Sequence, residues 1–339
     1  MKGFEKMNKK KPSVLEVAKE AGVSPATVSR VFNNNLKVNP EMKERVLAAS
    51  KKIGYKRNFY AKALIEGKTK FIGLILTRFE IRHYTGIVSG AESVIDDAGF
   101  IFIVTSSKYS KNRESDKITL FSDLNFAGIV IISVGLSDEE IVDISKKSAP
   151  LIIFDRKVKG YEDKCIYFDY HGYQKSIIEL LIKKGHKDIL HLCGPIRLQV
   201  YREKYNGYIS AMNDHHLSER IHYIECEGAT NEAGYTAMKK TLKERPFTAV
   251  ACQNDQLAFG AMSAIKEYGL TVPGDISITG FNDVPEAAFT SPSLTTVNFD
   301  YSAVGNFIGK KILSEIKKER FTDSVPKFKI IERKSVKLL

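Results

Sequence analysis

The chain's 339 residues, 43% of them hydrophobic, allow two or three domains with substantial buried cores. The formal net charge is +12, and residues 1–70 hold 17 Lys+Arg against 6 Asp+Glu while the remaining 269 hold 35 against 34. A basic end on a neutral body is a nucleic-acid footprint, whereas a membrane span, an exported chain, a metal centre and a disulfide framework are all disfavoured: the longest aliphatic runs are short, no apolar run follows the basic start, and Cys165, Cys193, Cys226 and Cys252 lie far apart without a C-x-x-C.

Three short helices are expected over residues 13–54. The first, "SVLEVAKEAG", places Val14, Val17, Ala18 and Ala21 on one face and stops at Gly22. The second opens in "VSPATVSRVFN": Ser24 suits the N-cap, because its hydroxyl can accept a first-turn N–H, and Pro25 suits the first helical position, where no N–H is needed. Val28 and Val31 face inward there, leaving Thr27, Ser29 and Arg30 on a short polar face shaped for a groove. Asn39 and Pro40 start the third helix, with Val46, Leu47 and Ile53 expected in the core. Only Gly22 and Val23 separate the first two helices, the spacing of a helix-turn-helix corner. The charged connector "KRNFYAKALIEGKTK", residues 56–70, has a weak helical pattern at Phe59, Ala63 and Leu64 and is too short to be helical alone in water.

From Phe71 the pattern changes. Short β-rich apolar runs ("FIGLIL", "FIFIVTS", "GIVIIS", "LIIFD", "CIYFD", "ILHLCG", "HYIEC", "AVACQ", "SITGF") alternate with helical segments, as in parallel sheets covered by helices. About ten strands exceed one comfortable sheet, so two lobes are expected. A last helix, "YSAVGNFIGKKILSEIKK", and a last strand, "KFKIIERKSV", cross back between them and make a hinge. The expected domains are a headpiece over 1–57, a hinge and linker over 58–70, and a core over 71–339, whose first lobe takes about 71–169 and 300–325 and whose second takes about 170–297 and 326–339.

Polar residues stand where several strands end, which is where open α/β sheets bind ligands. Ser106 follows "FIFIVT", Asp155 and Arg156 end "LIIFD", Asn254 and Asp255 follow "AVACQ", and Asn282 and Asp283 follow "SITGF". Carboxylates, amides and an Arg across a cleft suit a polyol, whose hydroxyls both donate and accept. His83, Tyr84 and Phe299 could wall such a cleft against the apolar face of a sugar ring, while Asp255 and Asp283 fit the role of structural caps.

At this point the residues resemble the LacI/GalR family of bacterial transcription repressors. "LEVAKEAGVSPATVSRVFNN" is similar to its helix-turn-helix, "AKALIEGKT" to its hinge helix, and "FDR", "LLIKKGHKDILHLCG", "NDQLAFGAMSAIKEYGLTVPGDISITGFND" and "SPSLTTVNFD" to successive blocks of its effector core. The resemblance implies an all-α helix-turn-helix headpiece, a hinge that orders on DNA, and a two-lobed α/β core resembling periplasmic binding proteins. Pro25 and Ala26 occupy the family's base-reading positions and can make only apolar contacts, whereas Arg30 can pair bidentately with guanine. Thr27, Ser29 and Asn33 suit phosphates or base edges, and Ser13 and Ser24 suit phosphates at helix starts. Leu64 matches the family's minor-groove lever, flanked by Asn58 and Lys62. In the core, Asp155, Asn254 and Asn282 fall on effector-contacting positions. Lys204 stands where many relatives carry Arg, so a point charge replaces a planar fork.

The partners so implied are a palindromic double-stranded operator, a second copy of the chain and a small-molecule effector, with no cofactor, metal or membrane. A neutral sugar is the first expectation for the effector, and Arg78, Arg82 and His83 in "TRFEIRHY" leave an acidic sugar open. A sugar-binding receptor without a transcriptional role is the alternative. An enzyme fits less well, because G-x-S-x-G, P-loop and H-E-x-x-H patterns are lacking.

Overall fold

The computed structural model describes residues 12–32, 38–55, 69–244 and 247–339. The chain divides into two compact units, Met1–Thr69 and Lys70–Leu339. The expected hinge, residues 58–70, lies almost wholly outside the described residues.

In the smaller unit, helix α1 (Val14–Ala21) is closed at its start by a reciprocal pair of bonds. The Ser13 hydroxyl accepts the Glu16 N–H at 3.3 Å, and the Ser13 N–H donates to Glu16 Oε2 at 2.6 Å, so two otherwise unpaired amides are satisfied. The helix stops at Gly22, whose φ of 62° is left-handed. A Cβ there would lie 2.9 Å from Arg45 Nη2, the group that donates to the Ala21 carbonyl at 2.7 Å. Helix α2 (Pro25–Phe32) starts three residues on, with Ser24 Oγ accepting the Thr27 N–H at 3.1 Å, and α3 (Pro40–Lys52) starts with Asn39 Oδ1 accepting the Glu41 N–H at 2.9 Å. Val17, Ala18, Ala21, Val28, Val31, Val46 and Ala49 form the buried core. Leu47, expected inside, is 45% exposed. Val46 takes the inward position, and the next residue is turned about 100° away around the helix.

The larger unit contains two parallel sheets. The first takes β1 (Phe71–Leu76), β2 (Ile101–Ser106), β3 (Gly128–Ile131), β4 (Leu151–Phe154) and β5 (Cys165–Ile166) in the order β2-β1-β3-β4-β5. Helices α4 (Tyr84–Asp97), α5 (Lys111–Asp123) and α6 (Asp138–Ser145) connect them. After α7 (Tyr170–Lys183), the second sheet takes β6 (Ile189–Cys193), β7 (Ile221–Glu225), β8 (Ala249–Cys252) and β9 (Ser277–Thr279) in the order β7-β6-β8-β9. Its connections are α8 (Gln199–Asp214), α9 (Asn231–Thr241) and α10 (Asp255–Glu267). In each sheet the order reverses beside the first strand, between β1 and β3 and between β6 and β8. These are the places where a doubly wound sheet opens a crevice at its carboxyl edge.

Two expected strands shrink. "CIYFD" gives only Cys165–Ile166, because β5 has one neighbour and the chain then leaves the sheet. The last strand gives only β11 (Lys329–Ile331), matched antiparallel to the three residues of β10 (Thr296–Asn298). Between them runs α11 (Tyr301–Lys317), which returns to the first lobe and packs on α4. The approach is close because glycines on each helix face the other helix's backbone: a Cβ on Gly90 would sit 2.0 Å from the Ser302 carbonyl oxygen, and one on Gly305 would sit 2.0 Å from that of Ile87. Beyond β11 the tail joins the second lobe, the Ile278 N–H donating to the Ser335 carbonyl at 2.8 Å and the Leu339 N–H to the Lys184 carbonyl at 2.9 Å. Phe154, Phe168, Tyr170, Phe281, Phe299 and Phe328 belong to one buried cluster that spans these crossings.

Candidate DNA-reading helix and effector cleft

On α2 the residues expected to meet DNA share one side. Ser24, Pro25, Ala26, Ser29 and Arg30 are exposed, while Val28 and Val31 are buried. The two hydroxyls at its start are partly engaged: Ser24 Oγ caps the helix and lies 2.9 Å from Thr27 Oγ1. Ser13, exposed ahead of α1, likewise uses its hydroxyl as a cap. Arg30 has no described acidic partner. Asn33, Asn58, Lys62 and Leu64 lie outside the described residues.

The carboxyl ends of the two sheets face a cleft of about 750 Å³. From the first lobe, Thr77 follows β1, Ser133 follows β3 and Asp155 follows β4; from the second, Asn254 follows β8 and Asn282 follows β9. Two of these residues sit in backbone conformations that non-glycine side chains rarely adopt, Asp155 with φ 64° and Asn282 with φ 114°. Such strain is held by surrounding structure and turns these side chains out of the strand direction at a site. Asp155 Oδ1 accepts a short bond from the Tyr170 hydroxyl. Asn282 accepts from the Tyr301 hydroxyl at 2.6 Å and donates to His83 Nδ1 at 3.4 Å. The His83 ring is stacked on Tyr301 at 4.6 Å. With Nδ1 accepting, the network assigns the ring proton to Nε2.

Lys204 is the unusual group. It is 4% exposed, donates one bond to the Gln253 carbonyl at 3.0 Å, and holds its ammonium 3.6 Å from the centre of the Phe281 ring. Burial pulls it down to about 7, opposed by the charges of Asp155 and Asp255. Burial likewise raises Asp155 to about 6, opposed by the Tyr170 bond and by Lys204, and lowers His83 to about 3, so that ring is neutral. Behind Lys204 lies a satisfied polar spine. Gln253 accepts from the Gly194 N–H at 3.1 Å and donates to the Tyr201 carbonyl at 3.0 Å and to His191 Nε2 at 3.1 Å, while His191 Nδ1 donates to the Ala251 carbonyl at 2.9 Å.

The cleft brings together His83, Tyr84, Asp155, Arg156, Lys204, Asn254 and Asn282, but not Ser106 or Phe299. Ser106 ends β2, the outer strand, so it stands away from the reversal between β1 and β3. The turn after it brings in Tyr109 instead, with left-handed Lys108 and Tyr109. Phe299 is core: 3% exposed, with its ring edge-on to Phe168 and Phe328 at 4.6 Å and 3.8 Å. Arg156 lines the cleft but is committed, its guanidinium donating to the Leu136 carbonyl at 2.6 Å and to Asp138 at 2.5 Å. Asn254 accepts the Leu257 N–H and donates to the Ala229 carbonyl, both at 2.8 Å, so it caps α10 and holds the loop that borders the cleft. Asp255 ties Thr296 and Val284 to α10, and Asp283 pairs with Arg333 at 2.7 Å; both act as structural caps. Sequence reasoning missed Thr77, Ser133, Tyr170, Tyr201 and Tyr301. Thr77 and Ser133 stand at strand ends and were within reach of the same rule, whereas Tyr301 opens a helix and carried no such signal.

Among the described residues, no helix is long and apolar enough to cross a membrane. Residues 13–58 match the family described as bacterial regulatory proteins, lacI family, and residues 178–336 match a periplasmic binding protein-like domain. The transcriptional regulator RegA of Clostridium saccharobutylicum is 29% identical over 327 residues, covering 95% of this chain and 98% of RegA. The regulator AscG of Escherichia coli K12 is 30% identical over 305 residues, covering 88% of this chain and 91% of AscG. Among solved structures, a Lac repressor dimer bound to operator and the anti-inducer ONPF superposes with a TM-score of 0.85 at 25% identity, covering 97% of this chain and all of that one. The helix-turn-helix unit, the two-lobed core and these relatives converge on one conclusion: the chain belongs to the LacI family of bacterial regulatory proteins and is a DNA-binding transcriptional regulator.

Proposed function

We propose that the chain is a cytoplasmic repressor that binds a palindromic operator as a homodimer, and that a small carbohydrate-like molecule in the cleft sets its affinity for that operator, without a cofactor. One observation carries the reading. The basic unit exposes a capped helix with a free Arg30, and the same chain holds a cleft whose polar groups come from the ends of both sheets. Occupancy of that cleft favours one relative angle of the lobes. A coupling of about 1–3 kcal/mol between cleft and DNA then suffices for control, and by linkage operator DNA changes effector affinity by the same factor.

The experiment is duplex selection with the full chain near physiological salt, followed by anisotropy titrations on the preferred duplex. Arg30→Ala should weaken that duplex by about 10–100-fold, matching the ~1–3 kcal/mol of a bidentate guanine contact, and leave non-specific binding in place. Asp155→Ala should bind the operator normally and stop responding to the effector. Equal affinity for all duplexes, with or without cleft ligands, would end this reading.

A further inference from the structure

Part of the cleft lining is arranged to receive acceptors. Several of its inward acceptor atoms are spent, Asp155 Oδ1 on Tyr170, Asn254 Oδ1 on the Leu257 N–H, Asn282 Oδ1 on Tyr301, and both oxygens of Asp138 on Arg156 and the Lys159 N–H, which leaves the carboxylates of Glu80 and Glu227 at the rim. Some of its donors are spent as well, those of Arg156, Tyr170, Tyr301 and Asn254 among them, but others are not. Lys204 uses one of three N–H groups, and His83 Nε2–H faces no described acceptor. A neutral sugar needs acceptors and donors in comparable number, because each hydroxyl both gives and takes.

Charge points the same way. Six cationic and four acidic side chains line the cleft, and one of each, Arg156 and Asp138, cancel as a pair. Arg78 on the first lobe and Arg197 and Arg202 on the second have no acidic partner among the described residues. Arg78 lies over the Tyr109 ring at 5.3 Å, and Arg202 reaches only the Arg197 carbonyl, at 3.4 Å. Exposed Glu80 and Glu227 at the rim offset two of the three. Guanidinium groups present planar forks that match carboxylate and phosphate oxygens.

The geometry points to an effector that is a polyol carrying an anionic group, carboxylate or phosphate, with the anion held between Arg78 of one lobe and Arg197 and Arg202 of the other. This rests on the cleft being the effector site, as proposed above. An anion gripped from both lobes also draws them together, so the charged group does mechanical work that a neutral sugar cannot do at that place.

The test is isothermal titration of the full chain with matched sets: glucose, glucose 6-phosphate and glucuronate; galactose and galacturonate; fructose and fructose 6-phosphate; and inorganic phosphate at equal ionic strength. The expected result is that the tightest ligand is anionic, at least tenfold tighter than its neutral counterpart and than inorganic phosphate. The phosphate and carboxylate arms tell which anion it is. The double variant Arg197→Gln/Arg202→Gln should lose at least tenfold in affinity for that ligand while binding the operator duplex as the parent does. A neutral sugar binding as tightly as its anionic partner overturns the anionic inference and leaves the proposed function standing. Inorganic phosphate binding as tightly as any sugar phosphate overturns the polyol. If no sugar of either kind binds or alters operator affinity, the inference and the effector-cleft reading fall together.

Discussion

The headpiece and the core bury apolar surface on very different scales. The headpiece core is four valines and three alanines, with no large side chain fully buried. The larger unit packs Phe154, Phe281, Tyr208 and many isoleucines at essentially zero exposure, in clusters that span its lobes. Small units bury a smaller share of their surface and have little stability in reserve. The headpiece offsets this with local devices, a capping box, a Ser cap and an Arg45 bond to the end of α1. The core instead relies on close backbone approach. The teaching is that a single deletion should silence the headpiece without touching the core, whereas the core should fail only where its backbone contacts are broken.

The largest effect expected is Gly305→Ala. The new methyl would fall 2.0 Å from the Ile87 carbonyl oxygen, a backbone atom with nowhere to go. Forcing α4 and α11 apart should cost about 3 kcal/mol, the upper end of what overpacking usually costs. Calorimetry should show the main transition lowered by several degrees; an unchanged transition would mean the helices part freely.

Next is Glu114→Ala. Buried Glu114 accepts from the Ser133 hydroxyl at 2.7 Å and from the Val134 and Gly135 N–H groups at 3.0 and 3.2 Å, with Leu136 N–H at 3.3 Å. Its loss strands the buried donors of Ser133 and Leu136, each costing about 1–3 kcal/mol, and the half-buried amides of Val134 and Gly135. The loop it holds lines the cleft, so effector binding should fall more than operator binding, read by titrating each.

Val28→Ala sharpens the contrast from the other side. A buried cavity of this size costs about 1–2 kcal/mol, small for the core but large for a seven-residue cluster. Operator binding should melt out at a lower temperature while the core's calorimetric transition stays in place.

The smallest effect concerns pH. Lys204 is depressed to about 7 in the folded state. The folded chain therefore holds this proton less tightly than the unfolded chain, and the neutral form contributes stability above its ordinary value near 10.5 that is lost as pH falls through 7. Asp155 is raised to about 6; its contribution is present below its ordinary value near 3.8 and is lost as pH rises through 6. Urea unfolding of the unliganded chain should show stability rising from pH 7 to pH 9. Lys204→Met should flatten that rise; an identical slope in the variant would assign it to other groups.

The helix starts and stops of the headpiece were legible in the sequence. Ser13, Gly22, Ser24 and Asn39 each act on amides or carbonyls within a few residues, so their roles follow from neighbours in the chain. Leu47 misled because two adjacent apolar residues on a helix offer two faces, and only packing chooses between them. The cleft was legible at the ends of β4, β8 and β9 and illegible at Phe299, which an aromatic cluster claimed for the core, and at Tyr301, which reaches Asn282 from a helix start.

The sequence by itself determined where helices begin and stop, which runs become buried strands, and that positive charge collects at one end. These follow from hydrogen bonds and periodicities that repeat over two to four residues. Tertiary structure alone decided that Phe299 is core while Tyr301 reaches Asn282 in the cleft, and that Arg156 is paired there while Arg78, Arg197 and Arg202 are not. That depends on strand order and on three crossings between lobes, which join residues far apart in the chain and leave no local pattern.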